Sequence, residues 1–152
     1  MPDFAIYPSL QNKTVIVSGG AQGIGAEMVK AFAAQGARVA FLDLDGDASA
    51  ALAEDTPGVT FEICDLRDVS AMQAALTKLT DTLGPADVLV NNAARDDRHN
   101  WTDVTPAYWD ERQATNIRHM FFAIQAIAPG MIANGGGSII NMGSNSWWEA
   151  GG

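Results

Sequence analysis

The chain has 152 residues, with 9 Lys and Arg against 18 Asp and Glu and a formal charge of −9. That length suits one domain with a buried core, and 47% apolar with 18% charged residues is the composition of a folded chain, not a disordered one. The negative charge argues against non-specific binding to nucleic acid or an anionic membrane, while leaving room for a nucleotide held by backbone N–H groups. The single cysteine, Cys64, has no partner for an internal disulfide. Residues 1–13 contain Asp3 and Pro8 and no apolar run of signal-peptide length, and no stretch reaches the ~18 consecutive apolar residues of a spanning helix. The expectation is a cytoplasmic protein.

In chain order, short apolar runs alternate with helical patterns. Residues 13–18 (KTVIVS) form a β-branched run, the mark of a buried strand. Residues 24–35 follow with Met28, Ala31 and Phe32 at helical spacing, and Gly36 supplies the C-cap. Residues 37–43 (ARVAFLD) read as a second strand, 46–54 as a short Ala-rich helix ended before Pro57, and 59–65 as a third strand. Residues 69–83 carry apolar Met72, Leu76, Leu79 and Leu83 and stop at Gly84 and Pro85; residues 87–91 (DVLVN) are a fourth strand. Thr105 caps a fourth helix with Pro106 at its first position. That helix runs to about Ala133, with Pro129 and Gly130 expected to interrupt its last turns, and residues 138–142 (SIINM) are a fifth strand.

Strands alternating with helices, joined by right-handed crossovers, predict an α/β fold: a Rossmann-like doubly wound parallel sheet of about five strands, one domain over residues 1–152. The pattern stops just past the fifth strand with no closing helix. One side of the fourth helix, Met120, Phe121, Ile124 and Ile127, has no obvious later partner. The expected sheet is therefore incomplete, with a bare edge prone to association.

Between the first strand and first helix stands Ser18-Gly19-Gly20-Ala21-Gln22-Gly23-Ile24-Gly25. Glycines there permit a tight turn and close backbone approach, and the helix that follows offers free N–H groups to a phosphate. A glycine-rich turn alone is weak evidence, but its place between a strand and a helix supports a dinucleotide site built from Gly19, Gln22, Gly23, Ile24 and Gly25. Asp43 ends the second strand, where a carboxylate accepts from a ribose 2′-hydroxyl and repels a 2′-phosphate, favouring NAD over NADP. Asp45 and Asp47 are expected only to stay wet.

These residues resemble the short-chain dehydrogenase/reductase family. Ser18 to Gly25 is similar to its glycine motif, with Ser18 where threonine is usual. Asp65, followed by Leu66, resembles the family's adenine-contacting acid. Asn91-Asn92-Ala93-Ala94 resembles its Asn-Asn-Ala-Gly, with Ala94 in place of glycine. Asn116 falls where the family has an asparagine supporting a proton-relay water, and Ser144 at the end of Ser138-Ile139-Ile140-Asn141-Met142-Gly143-Ser144 matches its catalytic serine. Further segments, Asp96-Asp97-Arg98-His99 and Gly143-Ser144-Asn145-Ser146-Trp147 among them, resemble the aldose (D-xylose-type) 1-dehydrogenase branch.

The resemblance implies an NAD-dependent oxidoreductase acting on a sugar or alcohol, oxidising an aldose at C1 to the lactone. Ser144 and Asn116 are the implied catalytic residues. Gly19, Gln22, Gly23, Ile24, Gly25, Asp43, Asp65, Leu66, Asn92 and Ala93 are the implied cofactor contacts. Asp97, Arg98, Ser146 and Trp147 suit a sugar, although Asp97 and Arg98 equally suit an ion-paired surface loop and Trp147 a core or interface. His99 and His119 lack a carboxylate at metal-ligand spacing, so no metal is expected. Cys64 is expected as a buried strand residue. The complete form is expected to be a homo-oligomer, a tetramer in the family's manner.

The sequence departs from the family at one point. The family's catalytic Tyr-x-x-x-Lys lies beyond the serine, whereas the tyrosines here are Tyr7 and Tyr108, both before it. The chain thus looks like the amino-terminal part of a dehydrogenase, inactive alone for want of the general base. Two alternatives stay open: a non-catalytic NAD-binding module or decayed gene product, and a different Rossmann enzyme such as a methyltransferase. A serine hydrolase is disfavoured because no Gly-x-Ser-x-Gly elbow is present.

Overall fold

The computed structural model describes residues 5–97 and 99–144. Five strands, β1 (Thr14–Ser18), β2 (Arg38–Asp43), β3 (Thr60–Ile63), β4 (Val88–Asn91) and β5 (Ser138–Asn141), form one parallel sheet in the order β3-β2-β1-β4-β5. Helices α1 (Gly23–Ala34), α2 (Gly46–Asp55), α3 (Val69–Leu83), α4 (Pro106–Gln113) and α5 (His119–Ala133) connect them. Strand order reverses at β1, which lies between β2 and β4, so the loops after β1 and β4 part at one edge of the sheet. That is the switch point where a doubly wound sheet opens a crevice.

The alternation of side chains along the strands divides the core into two layers. Val15, Val17, Val39, Phe41 and Val90 pack with Val29 of α1 and Leu52 of α2. Ile16, Ala40, Leu42 and Leu89 face the other way, against Met72, Leu76 and Leu79 of α3 and Ala123, Ile127 and Met131 of α5. Both faces of the central strand are thus covered, which is why β1 reads as a continuous apolar run instead of an alternating one. Each fully buried side chain of this kind contributes roughly 1.5–3 kcal/mol relative to exposure.

The expected fourth helix differs from the one observed. It is divided into α4, a π turn over Ala114–Arg118, and α5. The π turn inserts about one residue into the helical ladder, a distortion that carries no residue signature of its own. Pro129 and Gly130 do not interrupt α5, which continues through both to Ala133. Pro129 lies on the exposed side, where the carbonyl it leaves without a partner can meet water. The unpartnered side of this helix also divides: Ile127 is buried against α3 and the sheet, Met120 and Ile124 are half-buried, and Phe121 is exposed. No helix among the described residues is long and apolar enough to cross a membrane.

Candidate functional site

A groove of about 540 Å³ opens at the carboxyl ends of β1, β2, β3 and β4. Its lining includes Gly19, Gln22, Ile24, Gly25, Asp43, Asp65, Leu66, Asn92 and Ala93, so nine of the ten expected cofactor contacts meet in one place. The tenth, Gly23, opens α1 in the left-handed region at φ 55°.

At Gly19 and Gly25 the backbone of the loop leaves no room for a side chain. Gly19 has φ 66°, and a Cβ there would stand 2.8 Å from the Cα of Ala93; a Cβ on Gly25 would overlap the carbonyl oxygen of Gly19. Asn92 ties the loops after β1 and β4 together, its Nδ2 donating to the carbonyls of Ser18 (3.2 Å) and Gly19 (2.9 Å). The Ser18 hydroxyl completes the tie by accepting from the N–H groups of Asn92 and Ala93. A serine at this position therefore supplies the oxygen that threonine would.

Helix termini separate the groove from the rest of the fold. Asp45, Asp68 and Thr105 cap α2, α3 and α4 through side-chain oxygens, whereas no side chain caps α1. Its first-turn N–H groups are left to a ligand, with the positive end of the helix dipole behind them. Asp45 also accepts from Gln22 Nε2 at 2.7 Å, so it is structural and not merely wet as expected.

Asp43 lines the groove at the end of β2, accepting from the N–H of Ala21 at 2.9 Å and of Asp45 at 3.0 Å. One bond to each oxygen leaves lone pairs for a further donor. Asp65 is engaged differently, by the guanidinium of Arg67. The Arg67 hydrogen bonds hold its carboxyl below the usual carboxylate range. Cys64 is buried as expected but lies just past β3. Burial first, then Asp65, Asp68 and Glu62, push its thiol up to about 11, so it is neither ionised nor nucleophilic at neutral pH.

The expected catalytic residues lie at the same edge of the sheet. β5 pairs with β4 in register Asn91 with Asn141, and Ser144 follows three residues on. Asn116 sits in the π turn and grips the backbone of Arg95, its Oδ1 accepting from Arg95 N (2.9 Å) and its Nδ2 donating to Arg95 O (3.1 Å). One donor and one acceptor of the amide remain for a water.

Of the four expected sugar contacts, Arg98, Ser146 and Trp147 lie outside the described residues. Asp97 is ion-paired with Arg95 at 3.0 Å and Arg112 at 2.7 Å. Arg112 in turn sits 4.8 Å from the centre of the Tyr108 ring, and the Tyr108 hydroxyl contacts His99 Nδ1 at 2.8 Å. The loop after β4 is thus the ion-paired kind. Sequence reasoning missed Leu44, Arg67, Arg95, Glu111 and Thr115, all on the groove lining. Glu111 and Thr115 are four residues apart on one helical stretch, the spacing that could have found them.

The residues present fit a dinucleotide: a glycine cradle that a Cβ would fill, an uncapped helix start, and an acid at the end of β2. The model of the short chain dehydrogenase family matches residues 13–148. The chain belongs to that family. Its members are oxidoreductases that typically use a nicotinamide cofactor. The chain is 50% identical over 147 residues to D-xylose 1-dehydrogenase of Caulobacter vibrioides (strain NA1000 / CB15N), covering 94% of this chain and 58% of that protein. It is 49% identical over 143 residues to a probable galactose dehydrogenase of Rhizobium meliloti (strain 1021), covering 91% and 56%. A crystal structure of gox2181 superposes with a TM-score of 0.86 at 31% identity, over 91% of this chain and 56% of that one. The chain therefore spans a little over half the length of the curated relatives it matches.

Proposed function

We propose that this chain is the dinucleotide-binding part of an NAD-dependent sugar dehydrogenase that oxidises an aldose at C1 to the lactone. The observation that carries the cofactor preference is Asp43: a carboxylate with lone pairs left over, at the end of β2 on the groove wall. It accepts from a ribose 2′-hydroxyl and repels a 2′-phosphate. The sugar class rests on the likeness to D-xylose and probable galactose dehydrogenases.

When bound, the dinucleotide supplies the hydride acceptor. Gly19, Gln22, Gly23, Ile24 and Gly25 hold its phosphates through backbone N–H groups and the α1 dipole. Asp65 and Leu66 flank the adenine end, and Asn92 and Ala93 form the wall that the loop after β4 contributes. Ser144 orients the reacting sugar oxygen by hydrogen bonding, and Asn116 holds a water that carries the proton outward. Asp97, Arg98, Ser146 and Trp147 are the proposed sugar side. The complete protein is proposed to be a cytoplasmic homo-oligomer.

Binding is the proper readout, because no tyrosine–lysine pair at the family's spacing follows Ser144 in these 152 residues. Calorimetric titration should give saturable binding, with NAD preferred over NADP by about tenfold or more, the scale of one close like-charge repulsion. Asp43→Asn should narrow that gap without unfolding the chain. Equal affinities, or a preference for NADP, would rule the reading out.

A further inference from the structure

Arg67 lies in the loop after β3, just beyond the acid expected to read adenine, and the family resemblance gives it no part. Three of its N–H groups converge on Asp65. Oδ1 accepts from the backbone N–H and from Nε, both at 2.9 Å. Oδ2 accepts from Nη2 at 2.7 Å and from the same Nε at 3.1 Å. An ionised carboxylate has about four lone-pair sites. Three donors therefore leave an acceptor site open, on a side chain that is 38% accessible and lines the groove.

The guanidinium that makes this grip is itself anchored. Its Nη1 donates to Glu111 Oε1 at 3.2 Å, and the Arg67 carbonyl accepts from Arg118 Nη2 at 2.9 Å. Glu111 is fixed in turn, accepting from the Thr115 hydroxyl at 3.2 Å and pairing with Arg112 Nε at 3.3 Å. Ion pairs as exposed as these add little stability. What a fork on both oxygens adds is direction. The plane of an aspartate carboxylate otherwise turns in a broad well about χ2, and a guanidinium matched to both oxygens holds it still. The same hydrogen bonds are the main reason why the Asp65 carboxyl stays below the usual carboxylate range, ionised and purely an acceptor.

We propose that Arg67 is the positioning residue of the adenine subsite: its fork, anchored on Glu111, locks the Asp65 carboxylate in the orientation whose open acceptor site reads the amino group of the purine. Arg67 touches the carboxylate and acts on the ligand through it. The inference rests on the reading of the groove as a dinucleotide site and adds what makes that site selective for adenine.

The test compares NAD with nicotinamide hypoxanthine dinucleotide, which carries an oxygen in place of the adenine amino group, by calorimetric titration. Loss of a positive charge beside an anionic ligand weakens both dinucleotides alike, so the ratio of the two affinities is the readout. The unsubstituted chain should prefer NAD by roughly tenfold or more, the mark of a hydrogen bond to a charged acceptor. Arg67→Ala should cut that preference by about threefold, the scale of fixing one freed side chain again on binding. Arg67→Lys keeps the charge but loses the fork, and should show the same cut. In an Asp65→Asn background, Arg67→Ala should leave the ratio where Asp65→Asn alone puts it, because Arg67 acts through that carboxylate. A parent-like ratio in either Arg67 variant would overturn the proposal while leaving the cofactor reading intact. So would a ratio that rises in Arg67→Ala, the sign of a guanidinium that competes with the amine, or an unsubstituted chain with no preference. If neither dinucleotide binds the unsubstituted chain, the dinucleotide reading itself falls, and this inference with it.

Discussion

One methyl group is enough to disrupt the glycine loop before α1, and the two glycines that open α1 show why position matters more than residue type. At Gly25 an added Cβ would overlap the Gly19 carbonyl oxygen and come within 2.8 Å of Asn92 Nδ2, so the tie between the two loops must give way. At Gly23 nothing stands within 4 Å of an added Cβ, and the only obstacle is φ 55°. Gly25→Ala should therefore lose dinucleotide binding outright and about 1–3 kcal/mol of stability, the usual cost of overpacking. Gly23→Ala should lose only about 1–2 kcal/mol, the cost of a left-handed non-glycine residue, and keep measurable affinity. Thermal melts paired with NAD titrations separate the two, and equal losses would contradict the geometry.

At the scale of an element, α5 carries a buried titratable group on its core face. His119, Ala123, Ile127 and Met131 recur every four residues and are all buried, His119 completely. Among the described residues, only the Thr115 carbonyl approaches the ring, and not at good hydrogen-bonding geometry. Burial lowers the His119 pKa from its ordinary value near 6.5, and the carbonyl of Thr115, one turn back, offsets only part of that. The sign follows from which state takes up the proton. Between the ordinary value and the lowered folded value, the unfolded chain binds a proton that the folded chain does not. Stability therefore falls as pH drops below about 6.5, by up to about 1.4 kcal/mol per pH unit until the folded value is reached. Melting temperatures from pH 7.5 to 5 should fall more steeply for the parent than for His119→Leu; parallel slopes would show that this imidazole does not titrate across folding.

The same element marks where the sequence was legible and where it was not. Residues 69–83 were readable to the residue, because apolar Met72, Leu76, Leu79 and Leu83 at helical spacing and the stop at Gly84 and Pro85 pointed the same way, although the Asp68 cap went unread. The glycine loop was readable because backbone sterics restrict which residues can stand there, and Asp43 because it ends the apolar run of β2. The π turn at Ala114–Arg118 was not, since no residue type marks the place where an extra residue enters the helical ladder. Nor was the Arg67–Glu111 pair, which joins residues 44 positions apart in the chain. Charged groups meeting across a groove leave no local period to read.

For the molecule as a whole, two opposing terms act at the β5 side of the sheet. β5 is an edge strand with all four residues exposed, and Ile139, Ile140 and Met142 are 39%, 42% and 37% accessible. Phe121, Ile117 and Ile132 add exposed apolar surface on the π turn and α5. An unpaired edge beside apolar side chains is a template for another chain. Against this stands a formal charge of −9, which keeps like chains apart at low ionic strength. That repulsion is screened within about 10 Å at 0.1 M salt and about 3 Å at 1 M, whereas the apolar attraction is not weakened by salt. Self-association of this 152-residue chain should thus rise with salt, the reverse of an assembly held by ion pairs. Sedimentation velocity at low and high sodium chloride measures it directly. Ile139→Lys, which places a charge on the edge strand, should return the high-salt protein toward monomer. A monomer indifferent to salt would mean that this face, bare as it is, does not attract its own kind.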